Sequence, residues 1–263
     1  MAEADVIGAE RSGVGVGVIG GPTVVIDLAG LRILVDPTFD PPTDYGRLVK
    51  TAGPAVQADA LGALDLVLVS HDEHADNLDE AGRAIAEAAP MVVTTPSAAT
   101  RLGERATGLR AWESVEHPSG LTITATPALH GPADAITPEG WVNCEVTGFL
   151  LAHPEAPTVY IGGDNASLAA VADVASRVRP DIAVLNGGGA HVPARFDDRP
   201  LTFTSARVAA AAEVLRSPRV VVAHQDGWRH FADDAAATRA AFLAAGIEDR
   251  LVESPLGRWA LRD

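Results

Sequence analysis

Cysteine is nearly absent from this sequence of 263 residues, with Cys144 as its single example. An internal disulfide and a zinc site built from several cysteines are therefore both excluded. Cys144 also has no activating base beside it in the sequence, so we do not expect it to act as a nucleophile. Basic residues are scarce too, because 20 lysines and arginines accompany 35 aspartates and glutamates, for a formal net charge of −15. Since phosphate binding requires clustered basic side chains, we do not expect a nucleic-acid partner.

Long apolar runs are also missing, although 47% of the residues are hydrophobic, which is enough for a substantial core. No stretch reaches the roughly 18 apolar residues of a membrane-spanning helix. The first residues, MAEADVIGAERSG, lack the basic start and the apolar run of a secretory signal. We therefore expect a cytoplasmic protein without a membrane partner, folded as one domain over residues 1–263.

Two common catalytic motifs are absent as well. The sequence has no Gly-x-Ser-x-Gly elbow, which argues against a serine hydrolase, and no Gly-x-x-x-x-Gly-Lys phosphate loop. The stretch GVGVGVIGG at 13–21 is rich in glycine, but another apolar run follows it instead of a helix. A dinucleotide-binding loop is therefore not indicated.

Apolar periodicity predicts strands and helices over most of the chain. The first third has the short apolar runs and the Gly and Pro turns of a β-meander, and the final third alternates helix and strand. The predicted strands are 14–19, 24–28, 31–35, 65–70, 91–94, 121–130, 145–153, 158–164, 181–186, 219–224 and a last one near 251–260. The predicted helices are 78–89, 97–103, 167–177, 204–216 and 233–245. This order predicts an α/β protein in which two sheets pack together and helices lie outside them.

Histidine or aspartate follows four of the predicted strands. These residues are His71, His74 and Asp76 after the first such strand, and His130, Asp164 and His224 after the others. Rigid scaffolds often place functional groups at strand ends, although each residue could instead serve in a turn or at a helix start. Imidazoles and carboxylates are ligands of zinc, manganese and iron, and a hydrolytic site needs several of them with an open position for water. The pattern therefore indicates a metal site.

Several blocks of the sequence resemble one known family in order and spacing. They are LRILVDPTF, VLVSHDEHADNLD, PALHGP, GFLL with YIGGDNAS, and LTFTSARVAAAAEVL with VVVAHQDGWRHF. Over nearly the whole chain the sequence resembles the metallo-β-lactamase-fold hydrolases, nearest the branch of L-ascorbate-6-phosphate lactonase-like proteins. The resemblance implies a four-layer αββα sandwich of two mixed β-sheets with helices outside. It also implies one or two metal ions at the sheet edge and a metal-bound hydroxide as nucleophile.

The first ligand block departs from the family's His-x-His-x-Asp-His. Here it reads HDEHADN over residues 71–77. One extra residue reconciles both ends of the block and leaves His71, His74 and Asp76 as ligands, while Asn77 stands where the last histidine is missing. The resemblance then implies one ion held by His71, His74 and His130, with Asp164 bridging or completing it. Asp76 and His224 would serve a weaker second ion.

Asn77 and Glu73 leave alternatives open. Asn77 is interpreted as the N-cap of the following helix, because Glu80 three residues later completes a capping box. The second position would then be one nitrogen ligand short, and it would be empty, weakly held, or suited to manganese or iron. Glu73 makes a His-x-Glu pattern that resembles the diiron branch of the same fold, which reduces oxygen or nitric oxide. We expect a divalent metal cofactor, with zinc favoured by the three histidines and manganese or iron admitted by the carboxylates.

Three residues are candidates for catalysis beside the metal. Asp76 could orient the attacking water and take its proton. His191, in the glycine-rich LNGGGAHVP, could bind a substrate anion or donate a proton, and a surface loop role is equally compatible. His230, six residues after His224, could orient a ligand or contact substrate, and packing at the edge of the core is equally compatible. Asp36 is expected to organise the loop under the site.

The function hypothesis is a metal-dependent hydrolase that uses activated water on a small-molecule ester, lactone or phosphoester. The alternative is a degenerate module of the same fold that binds metal or serves as a scaffold without hydrolysis. A diiron-type oxidoreductase is the lesser alternative. The loops at 36–62 and 131–144 contain no readable code for a substrate, and the sequence leaves open whether the chain forms a homo-oligomer.

Overall fold

Two seven-stranded sheets form the centre of the computed structural model, which describes residues 6–192 and 195–263. The strands are β1 (Val14–Gly20), β2 (Thr23–Leu28), β3 (Leu31–Val35), β4 (Leu66–Leu68), β5 (Val92–Thr94), β6 (Ala106–Gly108), β7 (Ser114–Glu116), β8 (Thr122–Pro127), β9 (Thr147–His153), β10 (Ala156–Ile161), β11 (Ile182–Asn186), β12 (Arg219–Ala223), β13 (Leu251–Val252) and β14 (Arg258–Arg262). The helices are α1 (Glu80–Ala88), α2 (Pro96–Leu102), α3 (Leu168–Arg177), α4 (Ser205–Leu215) and α5 (Ala235–Ala245). Among the helices of this described part, none combines the length and the apolar character that crossing a membrane requires.

Both sheets are mixed, with an antiparallel half and a parallel half. The first sheet has the order β14-β1-β2-β3-β4-β5-β6, and pairing becomes parallel from β3 onward. The second has the order β13-β12-β11-β10-β9-β8-β7, and pairing is parallel from β10 to β13. Since β8 and β10 are each antiparallel to β9, the strands β8, β10 and β12 run in the same direction. Their carboxyl ends therefore meet at one edge of the sheet.

Three apolar layers hold the sheets and helices together. Val24 and Ile26 of β2 face the second sheet and pack in one cluster with Phe149, whereas Val25 between them faces outward. Successive side chains of a strand point to opposite faces, so a strand buried on both faces contributes to two apolar layers. The outer cluster of the first sheet includes side chains of α1 and α2, and that of the second includes side chains of α3, α4 and α5. The predicted four-layer αββα sandwich is confirmed.

The carboxyl-terminal segment differs from the prediction of one strand near 251–260. It forms β13 in the second sheet and β14 in the first, with a turn between them. Pro255 lacks a backbone N–H for a strand ladder, and Gly257 adopts a φ of 74°, which few other residues tolerate. The segment therefore crosses from one sheet to the other. The strands β6 and β7, with three residues each, were not predicted.

Asp79, and not Asn77, is the N-cap of α1, so the predicted capping box is wrong. Its Oδ1 accepts hydrogen bonds from the backbone N–H of Gly82 at 2.8 Å and of Phe39 at 2.9 Å. Its Oδ2 accepts from Asp40 N at 2.7 Å and from the buried Lys50 ammonium at 2.8 Å. A carboxylate at this position accepts hydrogen bonds from both the helix start and the 36–50 loop. A neutral amide would bind these donors less strongly.

We expect replacement of Asp79 by alanine to destabilise the fold by about 3–5 kcal/mol, because it removes the cap and leaves the Lys50 charge buried without a partner. Urea unfolding followed by circular dichroism measures this loss. Glu80→Ala is the matched control, since this side chain is exposed at the next position, and it should cost less than about 0.5 kcal/mol. Equal losses in the two variants would contradict the assignment of the cap.

Candidate metal centre

The six predicted ligand residues come together at the carboxyl edge of the two sheets. The loop after β4 contributes His71, His74 and Asp76, and the ends of β8, β10 and β12 contribute His130, Asp164 and His224. They form two groups whose donor atoms lie within 4.8 Å of one another, namely His71, His74 and His130 with Cys144, and Asp76, Asp164 and His224. Apolar strands deliver these polar side chains to one buried point, as expected for strand ends in a layered α/β fold.

Three imidazole nitrogens converge in the first group. The Nε2 of His71 lies 2.8 Å from the Nδ1 of His74, and the Nε2 of His130 lies 3.2 Å from the same Nδ1. The outer Nδ1 of His130 donates to the carbonyl oxygen of Leu201 at 3.0 Å, so the inner Nε2 keeps its lone pair. A cation in the space between them could be bound by all three nitrogens, with the proton of any ring N–H released on binding.

The outer nitrogens of the other two rings are also engaged. The Nδ1 of His71 lies 3.1 Å from Ser70 Oγ, and the Nε2 of His74 lies 3.3 Å from the Asn143 side-chain amide. Contacts of this kind fix the ring orientation and the tautomer of metal-binding histidines. The group is therefore oriented from outside as well as from within.

Burial keeps these histidines neutral. It lowers the pKa of His71 to about 3, and the neighbouring His74 adds to the effect. Burial likewise lowers the pKa of His74 to about 4, with His130 as the next cause. A neutral imidazole is the form that binds a metal, so at pH 7 no proton competes for these two rings.

The second group is rich in oxygen. The Nε2 of His224 lies 3.5 Å from Asp76 Oδ2 and 3.4 Å from Asp164 Oδ1. The other oxygen of Asp164 lies 3.6 Å from His130 Nε2, so this carboxylate faces both groups and is placed to bridge them. Burial alone would raise its pKa, but His224 and His130 hold the pKa of Asp164 at about 2. The carboxylate is therefore ionised.

Unsatisfied polar atoms are concentrated in this second group. Within the described part of the chain, Asp76 Oδ1, Asp164 Oδ2 and both ring nitrogens of His224 are buried without a hydrogen-bond partner. Leaving a buried polar atom unpaired costs about 1–3 kcal/mol, and native proteins rarely do so without a reason. Bound cations would satisfy these atoms, so the donor set fits the metal that the family resemblance implies.

Asn77 lies inside the site and directs its amide hydrogens at oxygen atoms. Its Nδ2 donates to Asp36 Oδ2 and to Asp164 Oδ1, both at 3.3 Å, and to Ser70 Oγ at 3.4 Å. Asn186 donates to the same Asp164 oxygen at 2.7 Å. If the Asn77 amide were turned over, its oxygen would face these carboxylate oxygens and be repelled. This repulsion fixes the orientation of the amide. In the second group, His224 is the sole histidine and Asn77 supplies hydrogen bonds from beside it.

Asp36 supports the loop under the site, as the sequence predicted. Its Oδ1 accepts a hydrogen bond of 2.6 Å from the backbone N–H of Ser70, directly before His71. Burial raises the pKa of Asp36 to about 7, while the hydrogen bond from Ser70 opposes the rise. The contact joins the end of β3 to the end of β4, next to the first ligand.

The 71–77 block accommodates its extra residue because the Asp72 side chain is held outside the site. The side chain of Asp72 is buried between Arg83 of α1, at 3.1 Å, and Arg101 of α2, whose Nε lies 2.9 Å away. Glu73 next to it is 45% exposed and lies 3.9 Å from Arg101. Glu73 is outside both donor groups, and this position disfavours the diiron interpretation that rested on it.

The two predicted catalytic histidines have different positions. The Nε2 of His230 lies 2.9 Å from Asp76 Oδ2, at the wall of the cleft above the metal groups. His191 is half buried, with its Nε2 3.9 Å from Asp198, and its neighbours Ala190 and Val192 line the cleft instead of its own ring. The catalytic role of His191 therefore stays a prediction, which no contact with Asp76 supports.

A cleft of about 550 Å³ opens onto the donor groups. His74, Asp76 and His130 lie at its floor, and Arg47 and Arg195 are among the residues along its walls. This volume is in the range that holds a small organic molecule. Asn143 and Cys144 on the 131–146 loop also reach the site, and nothing in their local sequence indicated it.

Comparison with known proteins places this geometry in a family. A sequence profile described as "Beta-lactamase superfamily domain" matches residues 31–225. The UPF0173 protein YddR of Bacillus subtilis (strain 168) is 24% identical over 180 residues, which cover 63% of this chain and 68% of YddR.

Two solved structures share the fold. The crystal structure of isothiocyanate hydrolase from Delia radicum gut bacteria is similar with a TM-score of 0.77 and 23% identity over 92% of this chain and 96% of the other. The crystal structure of CmlA, a diiron beta-hydroxylase from Streptomyces venezuelae, is similar with a TM-score of 0.67 and 18% identity, over 97% of this chain and 55% of the other. Likeness at this level of identity concerns the fold. Since the profile covers well over half of the residues, the chain belongs to the beta-lactamase superfamily, and it has the metallo-β-lactamase fold.

Proposed function

We propose that this protein is a metal-dependent hydrolase that acts on a small ester, lactone or phosphoester. The observation that carries the proposal is the convergence of three inward-facing imidazole nitrogens, 2.8 and 3.2 Å apart, at the floor of an open cleft. Buried carboxylates without hydrogen-bond partners stand next to them. Donor sets of this kind with an accessible position are typical of hydrolytic metal sites.

In this proposal His71, His74 and His130 hold the first ion. Asp164 would be shared with a second and weaker position at Asp76 and His224, where one nitrogen faces two carboxylates. The three histidines favour zinc in the first position, and the oxygen-rich second position admits manganese or iron. A divalent ion bound here would lower the pKa of a water molecule towards ~7 and polarise the bond under attack.

Asp76 is the group that takes the proton. Asp76 Oδ2 accepts the proton of the attacking water, and the Nε2–H of His230, 2.9 Å away, donates a hydrogen bond that holds this carboxylate in place. The cleft walls would orient the substrate over these groups. The cleft volume of about 550 Å³ fits a small molecule, and the net charge of −15 disfavours nucleic acid.

Two other functions remain as competitors. A degenerate module would bind metal without hydrolysis, and the hydrogen bonds of Asn77 to Asp164 favour it, because they occupy an oxygen that a second ion would need. A diiron-type oxidoreductase would require Glu73 as a ligand, and its exposed position outside both groups weighs against that.

Metal content tests the site directly. We expect the purified protein to contain stoichiometric zinc, manganese or iron by elemental mass spectrometry, and His74→Ala to lose most of it, because an imidazole of the first group is removed. His117→Ala is the matched control, since this histidine lies in the turn with Ser119 before β8, whereas His130 follows the other end of that strand. Absence of metal in the wild-type protein, with no uptake on addition, would contradict the proposal. Loss of iron in Glu73→Gln would support the diiron alternative.

Hydrolysis tests the reaction. Screening the metal-loaded protein against esters, lactones and phosphodiesters should identify a substrate, and Asp76→Asn should lower kcat by about 10²–10⁴-fold, because the proton acceptor is lost. The first ion should remain bound in this variant, and metal analysis on the same sample checks this. Glu87→Gln, at an exposed position of α1, is the control that should keep full activity. A fully metal-loaded protein that is inert to every class would favour the binding module.

A further inference from the structure

Cys144 lies against the three histidines of the first group. Its sulfur and the ligand nitrogens of His71, His74 and His130 all lie within 4.8 Å of one another. The residue is 3% exposed and forms no disulfide. It follows Asn143, whose amide contacts His74, so two consecutive residues of the 131–146 loop face the site.

The surroundings of this thiol are unlike those of a cysteine that only fills space. A structural buried cysteine packs among apolar side chains and is inert. Here three imidazole nitrogens lie within 4.8 Å of the sulfur, and the Oδ2 of the ionised Asp164, buried without a partner, lies 3.6 Å from one of them, the Nε2 of His130. Atoms that can donate to a cation therefore surround the thiol.

The donor atoms lie near the positions expected around one shared ion, with the nitrogens slightly too close to one another. Zinc binds nitrogen at about 2.0–2.1 Å and sulfur at about 2.3 Å in tetrahedral geometry, so neighbouring donor atoms lie about 3.3–3.6 Å apart. The nitrogens of this group are 2.8 and 3.2 Å apart, and the sulfur is within 4.8 Å of each of them. The inference therefore requires the sulfur to move inward when an ion binds, by rotation of the cysteine side chain or by a shift of its loop.

We propose that Cys144 is a sulfur ligand of the ion that His71, His74 and His130 hold. As the sulfur–metal bond forms, the S–H bond breaks and the proton passes to water, so the cysteine binds as a thiolate. This inference rests on the proposed metal centre and adds a donor to it. It gives the first position three nitrogens and one sulfur, a set that selects zinc, cobalt or cadmium over manganese and magnesium.

A sulfur ligand also divides the work between the two groups. With the shared Asp164, the first ion would have five protein donors, the number to which zinc expands in some catalytic sites. The position for water would then lie at the second group next to Asp76, whose carboxylate is held by the hydrogen bond from His230. The first group mainly holds the ion, and the second group mainly handles the water.

Cobalt(II) substitution tests the ligand. The cobalt-loaded full chain should show an intense near-ultraviolet absorption from sulfur-to-cobalt charge transfer, and Cys144→Ser should lose this band while retaining the weaker visible bands of bound cobalt. In competition with a chromophoric chelator, Cys144→Ala should bind zinc at least about 10-fold more weakly than wild type. Val142→Ala removes a buried side chain from the same loop without removing a donor, and it should keep both the band and the affinity.

The outcomes separate this inference from the proposed function. Cobalt bound without a sulfur band in the wild-type protein would overturn the role of Cys144 and leave the histidine site intact. Equal zinc affinity in wild type and Cys144→Ala would do the same. A wild-type protein that binds neither cobalt nor zinc would overturn both proposals. The spectrum of the wild-type protein decides the question even if a Cys144 variant fails to fold.

Discussion

The shared direction of the strands that bear ligands is the constraint on which the site depends. In the second sheet β8, β10 and β12 run the same way, so His130, Asp164 and His224 emerge at a single edge. In the first sheet the parallel strand β4 brings the 71–77 loop to that edge from the facing layer. A buried apolar layer between the sheets holds the two edges together. Side chains far apart in the sequence thereby share one cleft.

The loop after β4 is held by buried charges on both sides. Asp72 is clamped between two arginines of α1 and α2, and Asp79 caps α1 while accepting from Lys50. Removing one partner of a buried pair is costly, so these contacts leave the loop little freedom. On either side of the Asp72 anchor, His71 and His74 turn inward in spite of the extra residue. The donor groups are therefore oriented before any ion arrives.

The two donor groups differ in chemistry although they share Asp164. The first offers three imidazole nitrogens with a thiol beside them, and the second offers one imidazole and two carboxylates. Soft donors favour zinc-like ions, while oxygen donors favour harder ones. Asn77 increases the asymmetry, because its amide donates to the same Asp164 oxygen that faces His224. The two groups therefore differ in the kind of ion that their donor atoms suit.

Local sequence was enough to predict the alternation of strands and helices and to offer as candidate ligands the six side chains that meet at the sheet edge. For His130, Asp164 and His224 it was the family resemblance that favoured a ligand over a turn residue. Strand periodicity and the polar residues after each apolar run are local signals, and the backbone follows them. The role of Asn77 could not be predicted in this way. An asparagine three residues before a glutamate looks the same in the sequence whether it caps a helix or donates hydrogen bonds to Asp36 and Asp164. The split of the last segment into β13 and β14 and the position of Cys144 beside His71 were likewise decided by the tertiary structure. Both depend on packing between segments distant in the sequence, and such contacts leave no periodic trace in the residues that make them.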